Sequence, residues 1–322
     1  MAYIIIYLIG MFKLAALGSI AAFTLAQEHP INQEIVEEIK SKTDLWTPAE
    51  ASENPLAFVP VESLLGRLGT AIDFSGDFPE PPVANSIPSA FDSRIQWPDC
   101  VHEIRDQQKC GSCWAFAASE ALSDRFCIAS NGKTNVVLSP EDMVDCNMSN
   151  HGCNGGVLQF AWTYLTNVGV ASESCLHYTS GSGSSKACPT KCDNGSAIHK
   201  YKCEAGSVTK ATNPDAIKSL IKSSGPVETG FTVYDDFMNY KSGVYHHTTG
   251  KQLGGHAVKI IGWGQENGVN FWICANSWNT SWGEQGFFRI KENECGIDSA
   301  VFGCKPDLST AAVEEEILTP LF

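Results

Sequence analysis

All thirteen cysteines of this 322-residue chain lie at Cys100 or later, and no other feature restricts its folding options so strongly. A reducing cytosol does not sustain that many thiols unless metal holds them, so the chain reads as a product of an oxidising secretory compartment. The odd count predicts one thiol left outside an even set of bridges. With 43% hydrophobic and 18% charged residues there is apolar material for a packed core and no case for wholesale disorder. A formal net charge of −14 argues against a nucleic-acid partner, since a phosphate backbone needs a basic face.

The cysteine-free part has divisions of its own. Residues 1–26 are almost wholly apolar and end in Thr24-Leu25-Ala26, the small-residue pattern of a cleavable signal peptide. Lys13 is their only basic residue; initiation at Met11 would place it in a normal n-region, and its charge disfavours a membrane span from Met1. No later run approaches spanning length, so no membrane association is expected after cleavage. Residues 27–85 hold eleven acidic against three basic residues, a net of −8, and close on Pro79, Pro81 and Pro82. Ile31, Ile35 and Ile39 recur every four residues, which predicts a short amphipathic helix in need of a partner surface. With the apolar stretch from Phe58 to Leu68, this segment reads as a docked prosegment rather than a loose spacer. Residues 86–304 are nearly balanced at −4, and residues 305–322 form an acidic tail of net −3. Low complexity is confined to Ser180–Ser185, a flexible-loop composition.

One stretch carries chemistry. Cys110-Gly111-Ser112-Cys113-Trp114 is by itself a C-x-x-C, open to a redox pair or half a zinc site. The run from Trp114 to Leu122 predicts a buried helix that opens at the second cysteine, where peptide dipoles and free N–H groups favour the thiolate. Such a nucleophile needs a base. Gly254-Gly255-His256-Ala257-Val258 offers His256 at the start of a β-branched run, 143 residues after Cys113. Ala275-Asn276-Ser277-Trp278 follows a second strand-like run and places Asn276 163 residues after Cys113. Singly, each is better explained by packing or a turn; their order makes coincidence implausible.

In this register the motifs resemble those of the papain-like cysteine peptidases, whose C-G-[SA]-C-[WY] signature Cys110–Trp114 matches. The resemblance runs from about Ile87 to Gly303. It implies an α+β, papain-like two-domain fold, with a helical left domain bearing Cys113 and a β-barrel-like right domain bearing His256 and Asn276. Cys113 is the implied nucleophile and His256 the base. Asn276 would orient the imidazole under the shield of Trp278, and Gln107 would be the oxyanion-hole side chain. The implied reaction is peptide-bond hydrolysis through an acyl-thioester, with no cofactor and no metal. Residues 27–85 become an inhibitory propeptide; its acidity suggests that protonated carboxylates weaken docking and favour self-cleavage near Asn85 or Ser86. Expected partners are protein and peptide substrates, the propeptide, and cystatin-type inhibitors. The expected location is an acidic lysosome-like or endosomal vesicle, or secretion. A zinc set of Cys110, Cys113, Cys188 and Cys192 is a weaker reading. So is a non-catalytic binding module, since such relatives usually lose the nucleophile.

Within the family the similarity is closest to the cathepsin B branch, through Ile87–Arg94, Phe231–Phe237, Tyr240–Tyr245 and Asn276–Phe287. Two departures bear on activity. That branch has a long occluding loop with paired histidines that captures a substrate's C-terminal carboxylate. Here only twelve residues separate Cys175 from Cys188, with His177 alone among them. The expectation is therefore an endopeptidase with an open cleft, with peptidyl-dipeptidase activity as the alternative. Ala300 also stands where the branch has a glutamate at the base of its main specificity pocket, which predicts apolar or aromatic side chains there unless Asp298 slips into register. The same alignment puts Gly155, Gly156, Gly230, Ala257 and Ala300 on the non-primed side, and Trp282 under the first primed subsite. It implies bridges Cys100–Cys127, Cys110–Cys153, Cys146–Cys188 and Cys175–Cys192, and leaves Cys203, Cys274, Cys295 and Cys304 unassigned; Cys274, in an apolar strand, is expected to be buried and free. Asn147, Asn194 and Asn279 head glycosylation sequons by pattern; Asn279 sits so near the cleft that its use is not expected.

Overall fold

The computed structural model describes residues 28–71 and 75–311, so residues 1–26, expected to be a signal peptide, and the acidic tail beyond residue 311 lie outside the described residues. The helices are α1 (Gln33–Lys42), α2 (Val61–Gly66), α3 (Ser93–Gln96), α4 (Cys113–Ala129), α5 (Pro140–Cys146), α6 (Leu158–Asn167) and α7 (Pro214–Ser224). The strands are β1 (Trp46–Pro48), β2 (Phe91–Asp92), β3 (Thr209–Ala211), β4 (Val227–Tyr234), β5 (Tyr240–Tyr245), β6 (Gln252–Glu266), β7 (Val269–Ala275), β8 (Phe287–Lys291) and β9 (Val301–Gly303). They run β1-β5-β8-β7-β6-β4-β9-β3 across the sheet, with β2 on β6, and only β5 and β8 pair in parallel.

Two cores lie on either side of the interface between helices and sheet. One, around Phe231, Phe237, Tyr245, Trp272, Trp282 and Phe288, belongs to the sheet half. The other, around Trp114, Leu122, Phe126, Trp162, Tyr201 and Phe302, belongs to the helical half. Fifteen of the seventeen residues of α4 are buried, so this helix has no solvent-exposed face and sits between the other helices and the sheet. A buried charge group ties α4 to β6: Lys259 on β6 reaches Asp124 at 2.7 Å and Glu120 at 3.8 Å. Pairing satisfies charges that burial would otherwise make costly.

The prosegment docks on the sheet half, though not through all the residues the isoleucine spacing selects. Asn32 caps α1 by accepting the Ile35 N–H, so Ile31 precedes the helix and is nevertheless buried in the same core as Ile39. Ile35 is only partly buried, and Phe58 is 84% exposed; Leu56 and Leu64 make the contacts instead. Trp46, which periodicity does not single out, is the main anchor. β1 adds antiparallel to β5, the indole packs 5.2 Å from Tyr245, and Nε1–H donates to the His246 carbonyl at 3.1 Å.

β6 begins at Gln252, four residues earlier than the β-branched run suggests, because pairing with β4 continues through Gly254 and Gly255. His256 is therefore inside a strand, opposite Phe231. The four implied disulfides are present, and a fifth joins Cys203 to Cys304. Three thiols remain free rather than one: Cys113, Cys274 and Cys295. The parity argument fails because Cys274 is sealed in the sheet core and Cys295 lies in a tight turn at φ 50°, neither beside another thiol. Cys110, Cys188 and Cys192 sit in three different bridges, which removes the zinc set.

Candidate active site

Cys113 is the first residue of α4, and its side chain is fully buried. On the facing strand, His256 Nε2 lies 2.7 Å from Asn276 Oδ1, just past the end of β7. That oxygen also accepts the Ser277 N–H at 2.8 Å, which fixes it as an acceptor. Nε2 must then carry the ring proton, and Nδ1, buried without a hydrogen-bond partner, holds the lone pair. The Trp278 ring lies 4.6 Å from the imidazole and closes the site against water.

Gln107 is equally enclosed. Ser277 Oγ donates to its Oε1 at 2.8 Å, so its Nε2–H₂ donates to the Cys110 carbonyl at 2.8 Å and to the Arg67 carbonyl of the prosegment at 3.0 Å. The segment from Arg67 to Ala71 lies across both walls. Gly156 N–H donates to the Gly69 carbonyl at 2.7 Å, Ala71 N–H to the Gly156 carbonyl at 2.9 Å, and Thr70 N–H to the Gly255 carbonyl at 3.1 Å. Thr70 Oγ1 lies 3.0 Å from Cys113 Sγ. Side chains have no room at the crossing: a Cβ on Gly155 would fall 2.1 Å from the Gly69 carbonyl oxygen, and Gly155 itself sits at φ 106°.

Burial decides the charge state here. Desolvation pushes the Cys113 thiol up, against weaker help from the Thr70 hydroxyl and backbone donors. It pulls His256 down to about 4, opposed by Asn276 and reinforced by the Arg67 guanidinium. Beneath the prosegment the pair is therefore neutral thiol and neutral imidazole.

Of the other residues selected from sequence, Gly230 pairs with Ala257 across β4 and β6, and Ala257 and Ala300 share the helical-half core. Trp282 is buried 5.1 Å from Trp278 and 5.2 Å from Phe237. Asp298 is not free to recognise a basic side chain: its oxygens accept from Trp272 Nε1 and Asn293 N, both at 2.7 Å, and burial pushes it up to about 6. Sequence reasoning missed Arg67, Gly69 and Thr70, whose part is played mostly by backbone. It also missed Ser277, although that residue lies inside the motif around Asn276, and Tyr178, three residues past Cys175. Glu228 was missed as well: it is fully buried, takes the Trp162 indole N–H at 2.7 Å, and burial holds its carboxyl well above the usual range.

Comparison with known proteins gives the family. The sequence profile of papain family cysteine proteases matches residues 87–304. A cathepsin B-like cysteine proteinase of Caenorhabditis elegans is 41% identical, over 91% of this chain and 98% of its own length. A cathepsin B-like protein of Giardia intestinalis is 44% identical over 68% of this chain and 75% of its own. Among solved structures, procathepsin B of Trypanosoma congolense superposes with a TM-score of 0.81 at 29% identity, covering 87% of this chain and all of that one.

Proposed function

The chain belongs to the papain family of cysteine proteases, and from that premise we propose that it is the zymogen of a cathepsin B-like endopeptidase that works through Cys113, His256 and Asn276. The observation that carries this reading is the fixed tautomer of His256. With Nε2–H committed to Asn276, Nδ1 is the nitrogen left to take a proton from Cys113 once water enters the cleft. The thiolate then adds to a peptide carbonyl, and the oxyanion receives the Gln107 amide N–H and the Cys113 backbone N–H. The imidazolium protonates the leaving amine, and water, deprotonated by His256, releases the acyl group and restores the thiol.

Latency follows from the same contacts. The Arg67 carbonyl takes the Gln107 donor, and Thr70 covers the thiol. The cut is proposed near Asn85 or Ser86, within the exposed stretch 82–86. Gly155, Gly156, Gly230, Ala257 and Ala300 are proposed to line an apolar non-primed side, with Trp282 toward the primed side. Endopeptidase action is favoured by how residues 176–187 are spent. Gly181 accepts the Lys109 N–H at 3.1 Å, Glu141 takes the Thr179 and Ser180 N–H groups at 3.0 Å, and the His177 ring pairs with Asp193 at 2.9 Å. None of these is a donor aimed at a free carboxylate. An acidic vesicle or secretion is the proposed setting, and cystatin-type inhibitors would compete for the same cleft.

The test uses acid-processed protein on one peptide with an apolar residue before the cleaved one, its C-terminus either amidated or free. Similar rates on both are expected. Strong preference for the free acid, with release of dipeptides, would overturn the endopeptidase reading.

A further inference from the structure

The short loop after Cys175 has a second use. We propose that Tyr178 is a positioning residue that sets the separation of the two oxyanion donors, the Gln107 amide and the Cys113 backbone N–H; this rests on the reading of the site given above. Its hydroxyl touches both segments that carry those donors. Oη lies 2.8 Å from the Gln107 carbonyl oxygen and 3.0 Å from Ser112 Oγ, the residue before Cys113. A carbonyl can only accept, so the phenol gives its proton to Gln107 and accepts the Ser112 O–H. The result is a directed chain, Ser112 to Tyr178 to Gln107, in which each bond polarises the next. Burial pushes the phenol well above its usual range, so the donor persists at any pH the enzyme meets.

The ring is held as a brace would be. It meets Phe116, one turn into α4, edge-on at 4.7 Å. The Tyr178 N–H donates to Glu173 at 2.9 Å, and Glu173 pairs at 2.8 Å with Arg105, two residues before Gln107. Other bonds fix each donor separately: Gln107 N–H to the Ser277 carbonyl, and Gly111 N–H to the Cys153 carbonyl, both at 2.9 Å. The Gln107 amide itself reaches back to the Cys110 carbonyl at 2.8 Å, and Tyr178 adds a bridge that ends on Ser112, next to the Cys113 N–H. Oxyanion donors act only when their spacing matches the developing charge, and displacement of about an ångström costs up to about 100-fold.

Tyr178→Phe keeps the ring and removes the bridge. In the processed enzyme it should lower kcat and kcat/KM together, roughly tenfold, with KM unchanged, because the lost interaction belongs to the transition state. Affinity for a peptide aldehyde, which forms a tetrahedral adduct, should fall by the same factor. Ser112→Ala should give a smaller loss of the same kind. The cycle with Gln107→Ala is decisive: that change alone should cost on the order of 100-fold, and adding Tyr178→Phe should then cost less than its single effect. An unchanged kcat in Tyr178→Phe, or an equal loss with and without Gln107, overturns the proposal. If Gln107→Ala itself leaves turnover intact, the reading of the site fails instead.

Discussion

The two walls of the cleft reach the same precision by different means. The wall bearing Cys113, Gln107 and Gly156 is made of helices and the loops between them, and Cys100–Cys127, Cys110–Cys153, Cys146–Cys188 and Cys175–Cys192 all lie in it. The wall bearing His256 and Asn276 has no bridge between β4 and β8; its one cysteine there, Cys274, is a free thiol. Order comes instead from register, as Lys259 opposite Ala275 puts Asn276 beside the strand that holds His256. Where a ladder of backbone bonds limits the chain, covalent closure adds little; where loops must hold a nucleophile, it removes unfolded-state freedom. The prosegment respects the same division. It grips the sheet wall with side chains, and meets the bridged half through the backbone of Gly156 and through Phe78, whose ring lies edge-on to Phe302 at 5.5 Å.

Trp46→Ala should break that grip most. Removing a buried tryptophan costs about 3–5 kcal/mol, so the full-length variant should cleave peptides at neutral pH, where the parent is latent. Continued latency would mean the blocking segment holds alone. Next in size, paired Cys110→Ser and Cys153→Ser changes should cost about 2–5 kcal/mol, against about 1 kcal/mol for Cys274→Ala on the other wall. Thermal unfolding of both variants checks this, and equal losses would erase the contrast.

A third prediction concerns acid. Three of the prosegment's carboxylates pair with its own lysines: Lys40 with Glu37 and Glu50, and Lys42 with Glu38. Only Glu53 to Lys241, at 3.7 Å and well exposed, crosses to the enzyme among the described ion pairs. The acid-sensitive contact is on the sheet wall. His246 Nδ1 faces the His247 carbonyl at 3.4 Å, which can only accept, so in the neutral ring Nε2 is left to accept the Thr43 hydroxyl at 2.9 Å. Burial lowers the His246 pKa, with Glu294 and Asp236 raising it and Lys291 and His247 lowering it; the Lys42–Glu38 pair rests nearby, with Lys42 3.5 Å from Thr249. A group with a depressed docked pKa supports docking above its free value, about 6.5, and loses that support as pH falls toward the docked one. Asp235, buried beside Glu28, shifts upward and so opposes release at lower pH. Processing should therefore quicken as pH falls below about 6.5, and His246→Gln should flatten that slope. An unaltered slope would return the sensor to the carboxylates.

The smallest effect is a modification. Asn194 is exposed beside a turn glycine at φ 85°, whereas Asn147 is 5% exposed with its amide donating to the Phe160 carbonyl at 3.2 Å. Peptide mapping of secreted material should find glycan on the first and none on the second.

What was legible in the sequence follows the same contrast. The residues around Cys113, His256 and Asn276 carry local motifs, and α4 announced itself by a mostly apolar run from Trp114 to Leu122. Trp46 and Thr70 could not be read, because one acts by pairing with Gly243, 197 residues away, and the other is placed over Cys113 by backbone bonds that any sequence supplies. The free thiols escaped parity because burial protects Cys274 as well as a bridge would. Tyr178 was hidden for a third reason: a hydroxyl bridging two loops leaves no periodicity.

The central claim is that the prosegment keeps Cys113 and His256 neutral and that its removal lets them charge. The most direct measurement is the pH dependence of Cys113 alkylation by iodoacetamide, located by peptide mapping, in full-length and processed protein. The account predicts slow labelling of the full-length chain throughout the neutral range, and in the processed enzyme a rate already at its plateau several pH units below the ordinary thiol value of about 8.5. A processed enzyme whose Cys113 titrates as an ordinary thiol would contradict it.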